Sequence, residues 1–150
     1  MSQIDFAKDL LFESKLRLET AETVLNKDAY AYCIRQCQEA VELCLKAALK
    51  LIGIDYPKWH DVSDVLITSK TRFPAWFQKI ISKLADISKF LAAQREAAMY
   101  GVEISKKSPS SLFNKKNAEE ALEDAKMCVE NVEKLLESAS NSTSKSKNNN

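Results

Sequence analysis

One stretch of the chain, residues 30–52, limits the possible folds most strongly because it is apolar on more than one side. An apolar row at spacings of three and four residues consists of Tyr30, Ile34, Cys37, Val41, Cys44, Ala48 and Leu51. A second row beside it consists of Cys33, Ala40, Leu45, Leu49 and Ile52. The charged strip that remains is narrow: Arg35, Glu39, Glu42, Lys46 and Lys50. A helix of this kind must be covered from several directions, so we expect it to be the central helix of a bundle.

The same spacing recurs in three further segments and predicts long helices at about residues 2–26, 74–100 and 117–138. Asp28 and Asp61 are predicted to cap the helices that follow them, and Gly53 and Gly101 to end the helices before them. A short helix is predicted just after Asp61. Few Gly and Pro residues occur, two and three in 150. We therefore predict an all-α fold, an up-down four-helix-type bundle with one extra short helix, in a five-helix domain.

Composition divides the chain near residue 138. Residues 1–138 are predicted to form the helical bundle, and residues 139–150, SNSTSKSKNNN after Ala139, to form a disordered tail rich in Ser, Asn and Lys. A loop is predicted at residues 102–114, which contain Pro109 and several serines. This loop is long for a bundle, and such loops are often functional.

Charge and cysteine content exclude several classes of function. Lys plus Arg number 22 and Asp plus Glu 21, so the net charge of +1 gives no overall nucleic-acid or membrane signature. No apolar run is long enough to cross a bilayer, and the N-terminus lacks a basic signal region, so we expect a cytoplasmic protein without a membrane partner. The four cysteines form no CxxC pair and have no nearby His. We predict reduced, buried thiols, no metal site and no cofactor.

Five side chains are candidates for a functional site. His60 is the only histidine, and a hydrogen bond within its loop is favoured over catalysis. Arg95 lies late in an apolar helix, where a packed surface residue and a phosphate contact are both open interpretations. Tyr100 follows five residues later, about 140° around a regular helix, and converges with Arg95 only if the helix end bends. Lys106 and Lys107 in the loop could add positive charge.

Two glutamines interrupt apolar faces. Gln38 flanks the main row of the central helix, and we expect its amide to bond a neighbouring backbone group. Gln94 is the first polar residue in the apolar row of the fourth helix.

Several of these residues together resemble the HEPN family of small prokaryotic helical proteins. The resemblance covers about residues 3–137. It is carried by Gln38-Glu39-Ala40-Val41-Glu42 and Lys46-Ala47, by Gly53, Pro57 and His60-Asp61, and by the REAAMYG segment from Arg95 to Gly101.

The resemblance implies a five-helix domain, usually a homodimer with a shared cleft. Many members are metal-independent ribonucleases whose signature is an Arg followed four to six residues later by a His. Here Arg95 is present and Tyr100 stands in the position of the His, which favours a protein without ribonuclease activity. Other members act beside a minimal nucleotidyltransferase in toxin–antitoxin-like pairs, in which a tyrosine near this motif can be nucleotidylated.

The first prediction is therefore a non-catalytic HEPN-like module. It would bind a nucleotide, a nucleic acid or a nucleotidyltransferase partner through Arg95, Tyr100, Lys106 and Lys107. The alternative is a divergent ribonuclease that uses Arg95 with Tyr100, or with His60 from a neighbouring subunit. A third hypothesis is an oligomerisation bundle in which Arg95 is only structural.

Overall fold

The computed structural model describes the backbone of residues 2–148 and side chains up to residue 142. Within these residues the chain is helical and forms no β-strand; one isolated bridge joins Val102 and Lys107. The helices are α1 (Gln3–Leu25), α2 (Tyr30–Leu51), α3 (Ser63–Thr68), α4 (Ala75–Gln78), α5 (Ile81–Tyr100), α6 (Pro109–Leu112) and α7 (Lys115–Asn148), with a 3₁₀ turn at Lys70–Arg72. The predicted all-α class is confirmed.

The four long helices alternate in direction. A short turn joins α1 to α2, so these two helices form an antiparallel hairpin. Lys15 on α1 pairs with Glu133 on α7 at 2.6 Å, and Glu22 with Lys126 at 3.0 Å, so α7 runs opposite to α1. The end of α5 lies beside the start of α2, which makes those two antiparallel as well. The architecture is the up-down bundle predicted from the sequence.

Helix α2 lies at the centre and is covered by α1, α5 and α7. Its fully buried side chains include many small ones: Cys33, Cys37, Ala40, Cys44, Ala47 and Ala48. Small side chains let neighbouring helices approach closely, and at one such point the buried Ser14 hydroxyl donates to the Ala40 carbonyl oxygen at 2.5 Å. All four cysteines are free and buried, as expected of thiols that serve as small apolar groups.

The helix predicted from Pro74 onward is interrupted. It consists of the short α4 and the long α5, separated by Lys79 and Ile80. The Gln78 side chain donates to the Phe73 carbonyl oxygen at 2.7 Å and so ties α4 to the preceding turn. The apolar spacing continues unchanged across the interruption, and therefore gave no sign of it.

Two smaller predictions about the connections were wrong. Asp28 does not cap α2: it adopts a φ of 59°, Ala29 occupies the capping position, and the Asp28 carboxylate accepts from the Tyr30 hydroxyl. The segment 102–114 is not simply a loop, since it contains α6 and the Val102–Lys107 bridge.

The last helix extends past the predicted limit of the bundle. Backbone of α7 is helical to Asn148, whereas disorder was predicted from residue 139. No Gly or Pro follows Pro109, so nothing in the sequence forces the helix to end at 138. Residues 149 and 150 of the predicted tail lie outside the described residues, and the division of the chain at 138 stays a prediction. Among the described helices, none is long and apolar enough to cross a membrane.

Gly101 is the position at which the turn after α5 should be most sensitive to substitution. Its φ of 75° and ψ of −161° fall in a region essentially restricted to glycine, and an added Cβ would collide with the Lys107 carbonyl oxygen. We expect Gly101→Ala to lower the free energy of unfolding by about 2–3 kcal/mol in urea titrations. Gly53→Ala is the matched control, because its Cβ would meet only flexible side-chain ends at 3.4 Å. It should cost about 1 kcal/mol, and equal losses in the two variants would contradict the expectation.

Candidate functional site

The Arg95 side chain reaches from α5 to α2. Its Nη1 donates to Oε1 of Gln38 at 2.5 Å, and Gln38 is only 2% exposed. The other end of the same amide, Nε2, donates to Oε1 of Glu42 at 3.0 Å. Gln38 therefore bonds two side chains rather than the backbone group expected from the sequence, and it links Arg95 to Glu42.

Glu42 is the acceptor at the centre of this network. Besides Gln38, it accepts from Nζ of Lys46 at 2.9 Å and contacts Nδ1 of His60 at 2.7 Å. Burial raises the pKa of the Glu42 carboxyl, but the hydrogen bonds from Lys46, Gln38 and His60 together outweigh burial and lower it below its ordinary value. The carboxylate is consequently ionised at neutral pH and holds three side chains in fixed positions.

These side chains form one wall of a small cavity that we call the Arg95 cleft. It has a volume of about 130 Å³ and is lined by Arg17, Glu39, Glu42, Leu43, His60 and Arg95. His60 is 51% exposed. With a proton on Nδ1 donated to Glu42, its Nε2 is left as an acceptor. His60 thus bonds Glu42 on α2 rather than a group within its own loop, and it shares a cleft with Arg95 of the same chain.

Within residues 2–142, whose side chains the structure describes, the positive charge of Arg95 has no carboxylate partner of its own. Among the described residues it forms no salt bridge, and Gln38 is its neutral partner. Glu39 accepts from Gln36 at 3.2 Å and lies 4.0 Å from Arg17. Both carboxylates of the cleft are therefore bonded to other groups, and the guanidinium of Arg95 can bind an added anion.

The other predicted site residues do not line this cleft. Tyr100 is 66% exposed and lines a separate groove with Ala93, Ala97 and the residues 101–104. The end of α5 stays helical to Tyr100, so the bend that would bring it beside Arg95 does not occur. Lys106 and Lys107 are exposed in the turn after α5, where both backbone amides bond within the turn.

Sequence reasoning missed the parts of the site that support Arg95. Gln38, Glu42 and Lys46 recur every four residues on a mainly apolar helix, and this row was a signal that one polar face of α2 meets a partner. Arg17 carried no such signal, because it is one of several charged residues on α1. No group of three or more potential metal ligands occurs in the described part of the chain.

The lowered pKa of Glu42 makes the stability of the fold depend on pH in a specific way. Since its folded-state pKa is depressed, its contribution is complete above the ordinary value of 4.5 and is lost as the pH falls through the lower folded value. We expect Glu42→Gln to lower the free energy of unfolding by about 1–2 kcal/mol at pH 7. The difference from wild type should shrink below pH 4.5 in urea titrations. Glu103→Gln, an exposed control in the turn after α5, should leave the profile unchanged; a constant Glu42→Gln difference across this range would contradict the assignment.

Comparison with known proteins identifies the family. The family model described as the HEPN domain matches residues 7–141. A crystal structure, that of TT1696 from Thermus thermophilus, is similar with a TM-score of 0.68 at 23% identity, over 85% of this chain and 96% of that one. This likeness concerns the fold. A search of curated proteins gave no match. Because the family model covers most of the sequence, the chain belongs to the HEPN domain family.

Proposed function

We propose that the chain is a HEPN module that binds a phosphate-bearing ligand, a nucleotide or RNA, at the Arg95 cleft without cleaving it. Membership of the family supports a role related to nucleotides or RNA in general terms. The observation that carries the finer proposal is the state of Arg95: its guanidinium is positioned by the buried Gln38 and lacks a carboxylate partner in the described residues. An arginine fork of this kind suits the paired oxygens of a phosphate.

The size of the cleft favours recognition of one group of the ligand. Its volume of about 130 Å³ is well below the roughly 300–1,000 Å³ of pockets that enclose a whole small molecule. A single phosphate would enter beside the guanidinium groups of Arg95 and Arg17. The sugar and base would lie outside, over the exposed surface of α5 and the turn where Tyr100, Lys106 and Lys107 are found.

Loss of the Arg95 guanidinium should weaken ligand binding more than loss of another arginine outside the cleft. We expect Arg95→Ala to weaken the affinity for fluorescent single-stranded RNA or ATP at least tenfold in anisotropy titrations, and Arg95→Lys to give an intermediate loss. Arg35→Ala removes an arginine whose guanidinium stacks on Tyr32 outside the cleft, and it should change the affinity less than twofold. Equal effects of Arg95→Ala and Arg35→Ala would reduce the binding to general electrostatics and contradict the proposal.

One geometric observation favours a second candidate function, metal-independent RNA cleavage. Glu42 holds Nδ1 of His60 at 2.7 Å, an arrangement that orients a histidine as a general base or acid, and Arg95 lines the same cleft. In this candidate His60 of the same chain takes the place of the missing signature His, and Tyr100 has no part. It differs from the sequence-based alternative, which took His60 from a neighbouring subunit.

RNA cleavage is measured on denaturing gels, with the same RNA incubated with the protein in excess EDTA. Under the binding proposal wild type leaves the RNA intact. Under the second candidate wild type cleaves it, His60→Ala and Arg95→Ala each lower the rate at least a hundredfold, and Tyr100→Phe leaves it unchanged. Cleavage that survives both substitutions in the cleft would exclude His60 and Arg95 as its source.

A nucleotidyltransferase partner, a toxin–antitoxin-like role, a homodimer and a cytoplasmic location also stay proposals. The exposed Tyr100 hydroxyl is consistent with nucleotidylation by such a partner. Two exposed apolar side chains, Ile104 beside Tyr100 and Phe90 earlier on α5, support a homodimer or another protein contact. Native and intact mass spectrometry after purification from the host measures the subunit count, the partner and any nucleotide-sized addition together. An unmodified monomer without a partner would count against the homodimer, the nucleotidyltransferase partner and the toxin–antitoxin-like role.

A further inference from the structure

A second cavity, separate from the Arg95 cleft, lies between α5, α6 and α7. Its volume is about 270 Å³, twice that of the cleft. Its apolar wall is formed by Ile34, Phe90, Leu91, Leu112, Phe113 and Ala121. Its polar lining is formed by Gln94, Asn117, Glu120 and Asp124. We call it the α5–α7 cavity. It explains why Gln94 interrupts the apolar row of α5, because that position faces the cavity rather than the core.

Two of the four polar residues that line the cavity are carboxylates, Glu120 and Asp124, and neither has a short hydrogen bond or salt bridge in the described part of the chain. In the described part of the chain, Asp124 forms no hydrogen bond or salt bridge through its side chain, and Glu120 is only 4.0 Å from the exposed Lys116. Burial raises the pKa of the Asp124 carboxyl; Lys83 opposes this rise, and Glu120 and Glu123 add to it. The carboxylate is only half-buried, but it lacks a bonded partner in the described part of the chain, and a cation placed beside it would favour its ionised form.

The remaining lining decides which cation would fit. Only two carboxylates line the cavity, and no cluster of three potential metal ligands exists among the described residues, so a bare metal ion would be poorly coordinated. A phosphate would be repelled by Glu120 and Asp124. A neutral apolar molecule would offer the Asp124 carboxylate neither a hydrogen bond nor a positive charge. An ammonium on a short hydrocarbon stem satisfies both parts, since the stem can lie on Leu112 and Phe113 and the phenyl rings attract a cation.

We infer that the α5–α7 cavity is a binding site for a small aliphatic amine in its ammonium form, with Asp124 as the charge partner and Phe90 and Phe113 as the apolar wall. The side-chain amides of Gln94 and Asn117 border the site. The volume, just below the usual range for enclosed small molecules, suits a diamine of about four to six carbons. This inference does not depend on the function proposed for the Arg95 cleft, because the two cavities share none of their lining residues.

The probes are 1,4-diaminobutane and 1,6-diaminohexane, titrated by calorimetry at constant ionic strength, with 1,4-butanediol as the uncharged analogue. Wild type should bind at least one diamine saturably at one site per chain and should not bind the diol. Asp124→Asn, which keeps the shape and removes the charge, should weaken the affinity at least tenfold. Asp86→Asn removes an exposed charge from α5 outside the cavity and should change it less than twofold.

A second readout locates the site. In ¹H–¹⁵N spectra, the side-chain amide signals of Gln94 and Asn117 should shift with the diamine, while the Gln38 signals should not. Folding of each variant is checked by its urea transition. Absence of saturable binding by wild type, equal loss in Asp124→Asn and Asp86→Asn, or equal binding of the diol would each overturn the inference. RNA or ATP binding at Arg95 is measured separately, so its failure would leave this result unaffected.

Discussion

The enclosure of most of α2 by other helices is the constraint on which the rest of the structure depends. Three long helices cover it, and its small side chains allow them to come close enough for the Ser14 hydroxyl to bond the Ala40 carbonyl. A helix enclosed in this way can carry polar groups only where they find partners, because an unpaired polar group in the interior is costly. The row of Gln38, Glu42 and Lys46 meets this requirement through bonds within the row and to Arg95 and His60. The candidate site is thus built on the polar face of the central helix.

Much of the fold follows from periodicity. The four long helices, the glycine that ends α2 and the alternating directions were all predictable, since apolar spacing and short turns determine them locally. The interruption at Lys79 and Ile80 was not, because Phe77, Ile80 and Leu84 keep a helical spacing across it. The helical backbone of α7 beyond residue 138 also had no signal in the sequence, for a different reason. Composition predicted disorder there, yet Ser, Asn and Lys are only moderately unfavourable in a helix that has already begun.

Several residues of the candidate site could be predicted from the sequence, but the contacts between them could not. Arg95 and His60 were recognisable from the sequence, but the bond between Gln38 and Arg95 joins residues 57 positions apart and has no local signal. His60 reaches the cleft through the connection after Gly53, whose path depends on tertiary contacts and has no periodic signature. Tyr100 was the more attractive partner on spacing, because the distance in sequence resembled the family signature. A regular helix to its last residue keeps Tyr100 in a different groove from Arg95.

The two ends of the Gln38 amide are chemically different, and this restricts what can replace it. Its oxygen serves a guanidinium and its nitrogen serves a carboxylate, so the side chain must accept at one end and donate at the other. Glutamate would suit Arg95 but repel Glu42, lysine would suit Glu42 but repel Arg95, and methionine of similar size would satisfy neither. If the oxygen and nitrogen of the Gln38 amide exchanged places, both hydrogen bonds would be lost. A replacement at this position must therefore both accept and donate a hydrogen bond. Its burial gives no sign of this, because Gln38 is as buried as an apolar core residue.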